Sequence, residues 1–149
     1  MPHDVADPYL YPGTDVLQNK FAIHDGSILK TLEYELTKLR LEELVIEPVK
    51  GRFDLSHLCA IHRFVFQDVY DWAGKIRILD IAKPGVYFAH FPYIAKEARR
   101  IAAEFAEENN LRNLDKVPFV ERLAYYYGEW NALHPFREGN GRSLRQFIF

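Results

Sequence analysis

Helical periodicity is the feature that most restricts how this chain can fold. Apolar residues recur at three- and four-residue steps in four segments, which is the pattern of amphipathic helices that bury one stripe. The positions are Ile28, Leu32, Leu36 and Leu39; Leu58, Ile61, Val65 and Val69; Ile94, Ala98, Ile101 and Phe105; and Phe119, Leu123, Tyr126, Trp130 and Leu133. The spacing predicts a mainly α-helical fold.

Capping residues set the expected ends of the first two helices. The first begins at Ser27 and runs to about Ile46. The second begins after Asp54, whose side chain suits a helix N-cap, and ends at Gly74.

The helical pattern is interrupted between Ile76 and Phe91. Residues in this segment are β-branched and aromatic, and they flank Lys83-Pro84-Gly85. The segment is therefore predicted to form a β-hairpin.

Composition narrows the class of protein. The 149 residues are 48% hydrophobic, enough for one globular domain, and the net charge of −2 gives no sign of nucleic-acid binding. No apolar run approaches the ~18 residues that cross a membrane. The single Cys59 excludes an internal disulfide framework and indicates a reducing, cytoplasmic compartment.

Twelve residues from His134 to Arg145 combine a base, an acid, a glycine-flanked amide and two arginines. Because Leu144 and Phe147 follow at helical spacing, Gly139-Asn140-Gly141 is expected at a helix N-terminus, in a loop that permits positive φ. Unpaired backbone N–H groups at such a terminus form an anion site, which glycines leave open to a bulky phosphate.

The side chains around the glycines indicate phosphate chemistry. Arg142 and Arg145 share a helix face and carry forks that match phosphate oxygens. Glu138 suits Mg²⁺ beside a polyphosphate, and a neutral His134 can accept a proton from an attacking hydroxyl. Each residue alone also fits a structural or surface role, so only the combination argues for function.

This segment resembles the signature of the Fic family, H-P-F-x-[DE]-G-N-G-R-x-x-R, and matches every defined position. The resemblance implies a helical bundle with a β-hairpin flap over the active-site loop. It also implies transfer of AMP from ATP to a Tyr, Thr or Ser hydroxyl of a target protein, with release of pyrophosphate.

The resemblance assigns a role to each motif position. His134 would be the general base, Phe136 a buried anchor, and Glu138 the Mg²⁺ ligand. The remaining positions would bind the phosphates of ATP. The α and β phosphates would be bound by Gly139, Asn140 and Gly141, and the β and γ phosphates by Arg142 and Arg145. Related Doc-type toxins, which phosphorylate their targets, carry lysine at the position of Gly141, so the glycine favours AMP transfer.

Two further segments are similar to parts of Fic proteins. Residues 66–77, with Trp72-Ala73-Gly74, resemble the segment that leads into the flap. The flap would span about residues 76–92 and register the target chain, with Tyr87, Phe88 and His90 as candidate docking residues. Residues 1–25 resemble the N-terminal arm of single-domain and effector-type members.

The resemblance raises expectations about domain and regulation. Residues 1–149 are expected to form a single Fic-type domain, cut short at its C-terminus soon after the motif loop, residues 134–145. Thr31 to Glu35 match part of the family's inhibitory motif, but Leu36 occupies the Gly/Asn position. A separate antitoxin-like chain is therefore the expected inhibitor.

Two other functions stay open at this stage. The same scaffold could transfer UMP or phosphate instead of AMP, or the chain could be a catalytically silent fragment that binds a partner. Both a bacterial toxin and an effector secreted into a host cell fit the sequence.

Overall fold

The computed structural model describes residues 6–149, and residues 1–5 of the expected N-terminal arm lie outside the described residues. Within residues 6–149, five α-helices and one short hairpin follow one another along the chain. They are α1 (Gly26–Ile46), α2 (Leu55–Phe66), β1 (Ala82–Lys83), β2 (Val86–Tyr87), α3 (Ile94–Glu107), α4 (Lys116–Leu133) and α5 (Asn140–Ile148). The predicted mainly helical fold with a β-hairpin is confirmed.

Acidic caps begin the first two helices. Asp25 accepts hydrogen bonds from the backbone N–H groups of Ser27 and Ile28, and Asp54 accepts one from His57. These carboxylates satisfy N–H groups that have no partner within the helix. The predicted start of α2 at Asp54 is confirmed.

The predicted end of α2 at Gly74 is wrong. The helix ends at Phe66, and the N–H groups of Val69 and Tyr70 both donate to the carbonyl of Phe66 in a tight turn. Val69 extends the apolar spacing because it is buried in that turn, and periodicity alone cannot distinguish a buried turn from a further helical turn. Gly74 has a φ of +77° within a later turn.

Helix α2 lies at the centre of the fold. It contacts α1, α3 and α5, while α4 contacts α3 and α5. The hydrophobic core therefore surrounds α2 on several sides. Its most buried large side chains are Leu44, Leu58, Val65, Phe66, Val69, Tyr70, Ile94, Ile101, Tyr126 and Phe136.

The described part of the N-terminal arm packs against residues that come much later in the sequence. The carboxylate of Asp7 accepts two hydrogen bonds from Arg137, at 2.7 and 3.0 Å. The ring of Tyr9 packs edge-on against Trp72, and its hydroxyl accepts a hydrogen bond from the N–H of Ile78. The arm thus supports both the motif loop and the segment that leads into the hairpin.

No helix between residues 6 and 149 combines the length and the apolar composition that spanning a lipid bilayer requires.

Candidate active site

Residues 134–139 form the loop that joins α4 to α5, and left-handed backbone lies at both of its ends. His134 terminates α4 with φ 47° and ψ 64°, and Gly139 precedes α5 with φ 80° and ψ 13°. Left-handed backbone is costly for a histidine, so the surrounding contacts must hold His134 in place.

Three stacked rings form an aromatic floor beneath the loop: His62 and Phe66 from α2, and Phe136 from the loop itself. The ring of His62 lies 3.9 Å from that of Phe136 and 4.6 Å from that of Phe66, centroid to centroid. Phe136 is fully buried, as expected for a loop anchor. A Cβ atom on Gly139 would overlap the ring of Phe66, so the loop can lie on this floor only because residue 139 has no side chain.

His62 also ties the loop to the rest of the fold through both ring nitrogens. Its Nδ1 accepts a hydrogen bond from the N–H of Gly74 at 2.8 Å, and its Nε2 lies 2.9 Å from the carbonyl of Glu138. The neutral ring with a proton on Nε2 satisfies both partners. Burial lowers the pKa of His62 to about 4, which keeps the ring neutral at physiological pH.

Asn140 locks the loop with its side chain. Its Oδ1 accepts a hydrogen bond from the N–H of Phe136 at 2.8 Å, and its Nδ2 donates to the carbonyl of the same residue at 2.7 Å. Both amide atoms are thus engaged in holding the loop, although one of the two N–H groups of Nδ2 is not used by these bonds.

The ring of His134 is oriented as a base. Its Nδ1 lies 3.0 Å from the carbonyl of Asn131, which can only accept, so Nδ1 carries the proton and Nε2 is left with a free lone pair. Phe88 of the hairpin stacks on the ring at 3.7 Å and 11°. Burial lowers the pKa of His134 below its ordinary value of 6.5, so the ring is neutral near pH 7.

Arg77 connects this base to the hairpin. Its fully buried guanidinium donates to the carbonyls of His134, Leu133, Leu79 and Ala89, and its backbone N–H donates to that of Pro135. A single side chain therefore fixes the end of α4 and both ends of the hairpin.

The N-terminus of α5 carries no side-chain cap. Of the three motif residues expected in a loop, Gly139 has positive φ, whereas Asn140 and Gly141 already belong to the helix. A Cβ atom on Gly141 would meet only the Nη1 atom of Arg145, at 3.5 Å. The packing of the fold therefore does not require glycine at position 141. Glycine there even lowers the stability of the helix, by about 1 kcal/mol relative to alanine.

The two motif arginines have different surroundings. Arg142 donates to Glu33 at 2.5 Å and to Thr37 at 3.1 Å, both on α1, and its guanidinium carbon lies 4.7 Å from the centre of the Phe66 ring. Arg145 is exposed. Both line a groove of about 590 Å³ between α1 and α5.

Glu138 is exposed, and one of its oxygens accepts a hydrogen bond from the N–H of Gly139 at 3.1 Å. No group of three His, Cys, Asp or Glu side chains that could hold a metal is found between residues 6 and 149. A single free carboxylate fits Mg²⁺ that takes its other ligands from phosphate oxygens and water, and does not fit a cage built from protein alone.

The predicted docking residues of the hairpin differ in exposure. Tyr87 is 89% exposed, while Phe88 is half-buried against His134. The ring of His90 lies 2.6 Å from a carboxylate oxygen of Asp80, whose other oxygen accepts a hydrogen bond from the N–H of Phe91. His90 thus closes the base of the hairpin, and only Tyr87 projects freely.

Sequence reasoning missed three residues that shape the site. No local pattern linked His62, Arg77 or Glu33 to the motif. A charged residue within the apolar run Ile76-Arg77-Ile78 is a signal that could have identified a buried, bonded arginine. Glu33 lies two residues before the glutamate that the inhibitory pattern had singled out, and its sequence context carries no comparable signal.

Comparison with protein-family models matches residues 52–149 to the Fic/DOC family. The chain is 47% identical over 143 residues to protein adenylyltransferase VbhT of Bartonella schoenbuchensis, covering 96% of this chain and 30% of that protein. It is 46% identical over 143 residues to a probable protein adenylyltransferase Fic of Escherichia coli, covering 95% of this chain and 70% of that protein. The chain thus spans less than a third of the first relative.

Solved structures agree with these matches. The fold is similar to that of the BepC effector of Bartonella tribocorum with bound AMPPNP, with a TM-score of 0.88, 30% identity, and coverage of 94% of this chain and 74% of that one. A Fic domain from Bartonella quintana with bound ADP gives a TM-score of 0.89 at 28% identity, covering 94% of this chain and 72% of that one. The family and fold that the sequence predicted are confirmed.

The two motif glycines should differ in their effect on stability. We expect Gly139→Ala to lower the free energy of unfolding by about 2–4 kcal/mol, because it adds a methyl against Phe66 on left-handed backbone. Gly141→Ala should leave stability unchanged or raise it by up to about 1 kcal/mol. Urea denaturation checks both, and equal losses in the two variants would contradict this account of the loop.

The buried His62 should make stability depend on pH. Because its pKa is about 4 when folded and near 6.5 when unfolded, its contribution is complete above pH 6.5 and is lost as the pH falls towards 4. Between pH 7.5 and pH 5 we expect a loss of roughly 1–2 kcal/mol from this residue. Urea denaturation of the unchanged protein and of His62→Gln measures it. An equal pH dependence in both proteins would refute the assignment.

Proposed function

The chain belongs to the Fic/DOC family, and on that premise we propose that it is a protein adenylyltransferase. It would transfer AMP from ATP to a Tyr, Thr or Ser hydroxyl of a target protein and release pyrophosphate. One observation supports the proposal most directly. His134, whose Nδ1 is bonded to Asn131 and whose Nε2 is free, lies at the start of the loop that leads to the uncapped N-terminus of α5.

The chemistry requires a base and an anion site. The hydroxyl oxygen forms a bond to the α phosphorus, the bond from that phosphorus to the pyrophosphate oxygen breaks, and pyrophosphate leaves with the electron pair. The hydroxyl proton goes to Nε2 of His134, whose other nitrogen is fixed on Asn131.

The residues around α5 would position the phosphates. Backbone N–H groups of Asn140, Gly141 and Arg142, together with the positive end of the helix dipole, suit the α and β phosphates. Arg142 and Arg145 would bind the β and γ phosphates and so orient the α phosphate. Glu138 would hold Mg²⁺, and the ion when bound neutralises charge on the phosphate oxygens.

The setting and partners complete the proposal. The similar BepC protein of Bartonella tribocorum is described as a translocated effector, so a host cell is a second setting beside the bacterial cytoplasm that Cys59 favours. A separate antitoxin-like chain is proposed as the inhibitor, since neither Thr31 nor Glu35 forms a hydrogen bond with a motif arginine in the described residues. Tyr87 on the hairpin is the leading docking residue for the target.

Transfer of labelled nucleotide to protein tests the function. With Mg²⁺, ATP labelled at the α phosphate and a cell lysate, we expect label on protein, and loss of that label in His134→Ala because the base is gone. Circular dichroism should verify that the variant is folded.

Three outcomes would contradict AMP transfer. Label that appears only from the γ phosphate would indicate phosphate transfer. Label from UTP in place of ATP would indicate UMP transfer. No label with the folded protein would favour the partner-binding alternative.

Gly141 provides a test of nucleotide binding alone. A methyl group at this position would cover the open N-terminus of α5, so we expect Gly141→Ala to weaken ATP binding about 10–100-fold, the loss of one charge-assisted hydrogen bond. Calorimetric titration with ATP and Mg²⁺ measures this. Gly128→Ala is the matched control, because Gly128 is also a helical glycine with open space around it, in α4. Equal affinities in both variants would remove Gly141 from the phosphate site.

A further inference from the structure

Glu33 of α1 bridges the partly buried Arg142 and the fully buried Tyr70. One carboxylate oxygen accepts a hydrogen bond from Nη2 of Arg142 at 2.5 Å, and the other accepts one from the hydroxyl of Tyr70. The Glu33 side chain is 14% exposed and Tyr70 is 1% exposed. Burial, together with the Glu33 carboxylate, raises the pKa of Tyr70 well above its usual range, so the phenol keeps its proton and goes on donating.

Thr37 holds the same guanidinium one turn further along α1. Its hydroxyl donates to the carbonyl of Tyr34 at 3.3 Å, which leaves a lone pair to accept from Nη1 of Arg142 at 3.1 Å. Phe66 lies against the guanidinium at 4.7 Å. A carboxylate, a hydroxyl and a ring thus fix this arginine in one place, and three of its five N–H groups keep no partner within residues 6–149.

Docking of α1 does not by itself require this arrangement. A separate ion pair already anchors α1: Arg40 donates two hydrogen bonds, at 2.8 and 2.9 Å, to Asp68 in the turn that follows α2. A partly buried carboxylate close to a phosphate site also repels the phosphate. The charge of Glu33 therefore weakens anion binding. Any favourable effect of Glu33 on the site must come from its contact with Arg142.

We propose that Glu33 is a positioning residue for the AMP transfer proposed above: it holds Arg142 so that the free N–H groups of its guanidinium meet the phosphates in one orientation. The inference rests on that proposed function. An inhibitory role, in which Glu33 keeps Arg142 from binding the nucleotide, fits the geometry less well. Tyr70 fixes the carboxylate from behind, and more than half of the arginine's donors remain free.

Glu33→Gln is the variant that tests the proposal, because it keeps the shape of the side chain and removes its charge. We expect kcat for AMP transfer to fall about 10–100-fold, since misorientation of a reacting group has effects of this size. KM for ATP should stay unchanged or decrease, because a negative charge near the phosphates is lost. Tyr70→Phe, which removes only the support behind Glu33, should lower kcat in the same direction by a smaller factor.

Asp68→Asn is the matched control. It breaks the ion pair that joins α1 to the turn after α2 without touching Arg142, so kcat should stay within twofold of the unchanged protein. Nitrogen-15 NMR of the arginine side chains supplies a readout that does not depend on activity. The Arg142 N–H signals should be protected from exchange in the unchanged protein and in Asp68→Asn, and lose that protection in Glu33→Gln.

The outcomes separate this inference from the proposed function. If the unchanged protein transfers no AMP, the proposed function fails, and the role of Glu33 fails with it. If it transfers AMP and Glu33→Gln does so with a kcat within twofold, only the role of Glu33 is refuted. A higher kcat/KM in Glu33→Gln would make the contact inhibitory, and equal losses in Glu33→Gln and Asp68→Asn would make it merely structural.

Discussion

The close approach of the motif loop to the aromatic floor is the contact on which the rest of the site depends. Phe66 meets Gly139 where a side chain would not fit, and the same ring lies under the guanidinium of Arg142. His62 stacks between Phe66 and Phe136 and holds the loop by the carbonyl of Glu138. Because all three rings are buried, small shifts cost packing energy, and the loop has one defined position.

Backbone carbonyls hold the other half of the site through Arg77. A guanidinium removed from water needs its donors satisfied, and here the carbonyls at the end of α4 and at the hairpin satisfy them. His134 consequently ends α4 in a left-handed backbone conformation, which is unfavourable for a residue with a side chain. The base and the hairpin that stacks on it through Phe88 are positioned by the same residue.

Much of the fold and the core of the site could be read from the sequence, because local rules govern them. Apolar spacing located all the long helices, and Asp54 marked the start of α2. The motif predicted a helix N-terminus at its glycines, and α5 begins at Asn140, directly after Gly139. The end of α2 could not be read, because Val69 continues the spacing while it is buried in a turn.

The sequence by itself determined the family, the helical architecture and the chemistry available between His134 and Arg145, since each depends on residue identity at short spacing. Only the tertiary structure decided that Glu33 binds Arg142, 109 residues away. It likewise decided that Arg77 serves the loop at His134 from a distance of 57 residues. These contacts join elements that are remote along the chain, and their energies depend on burial and on the partners that remain once water is excluded. No local pattern carries that information.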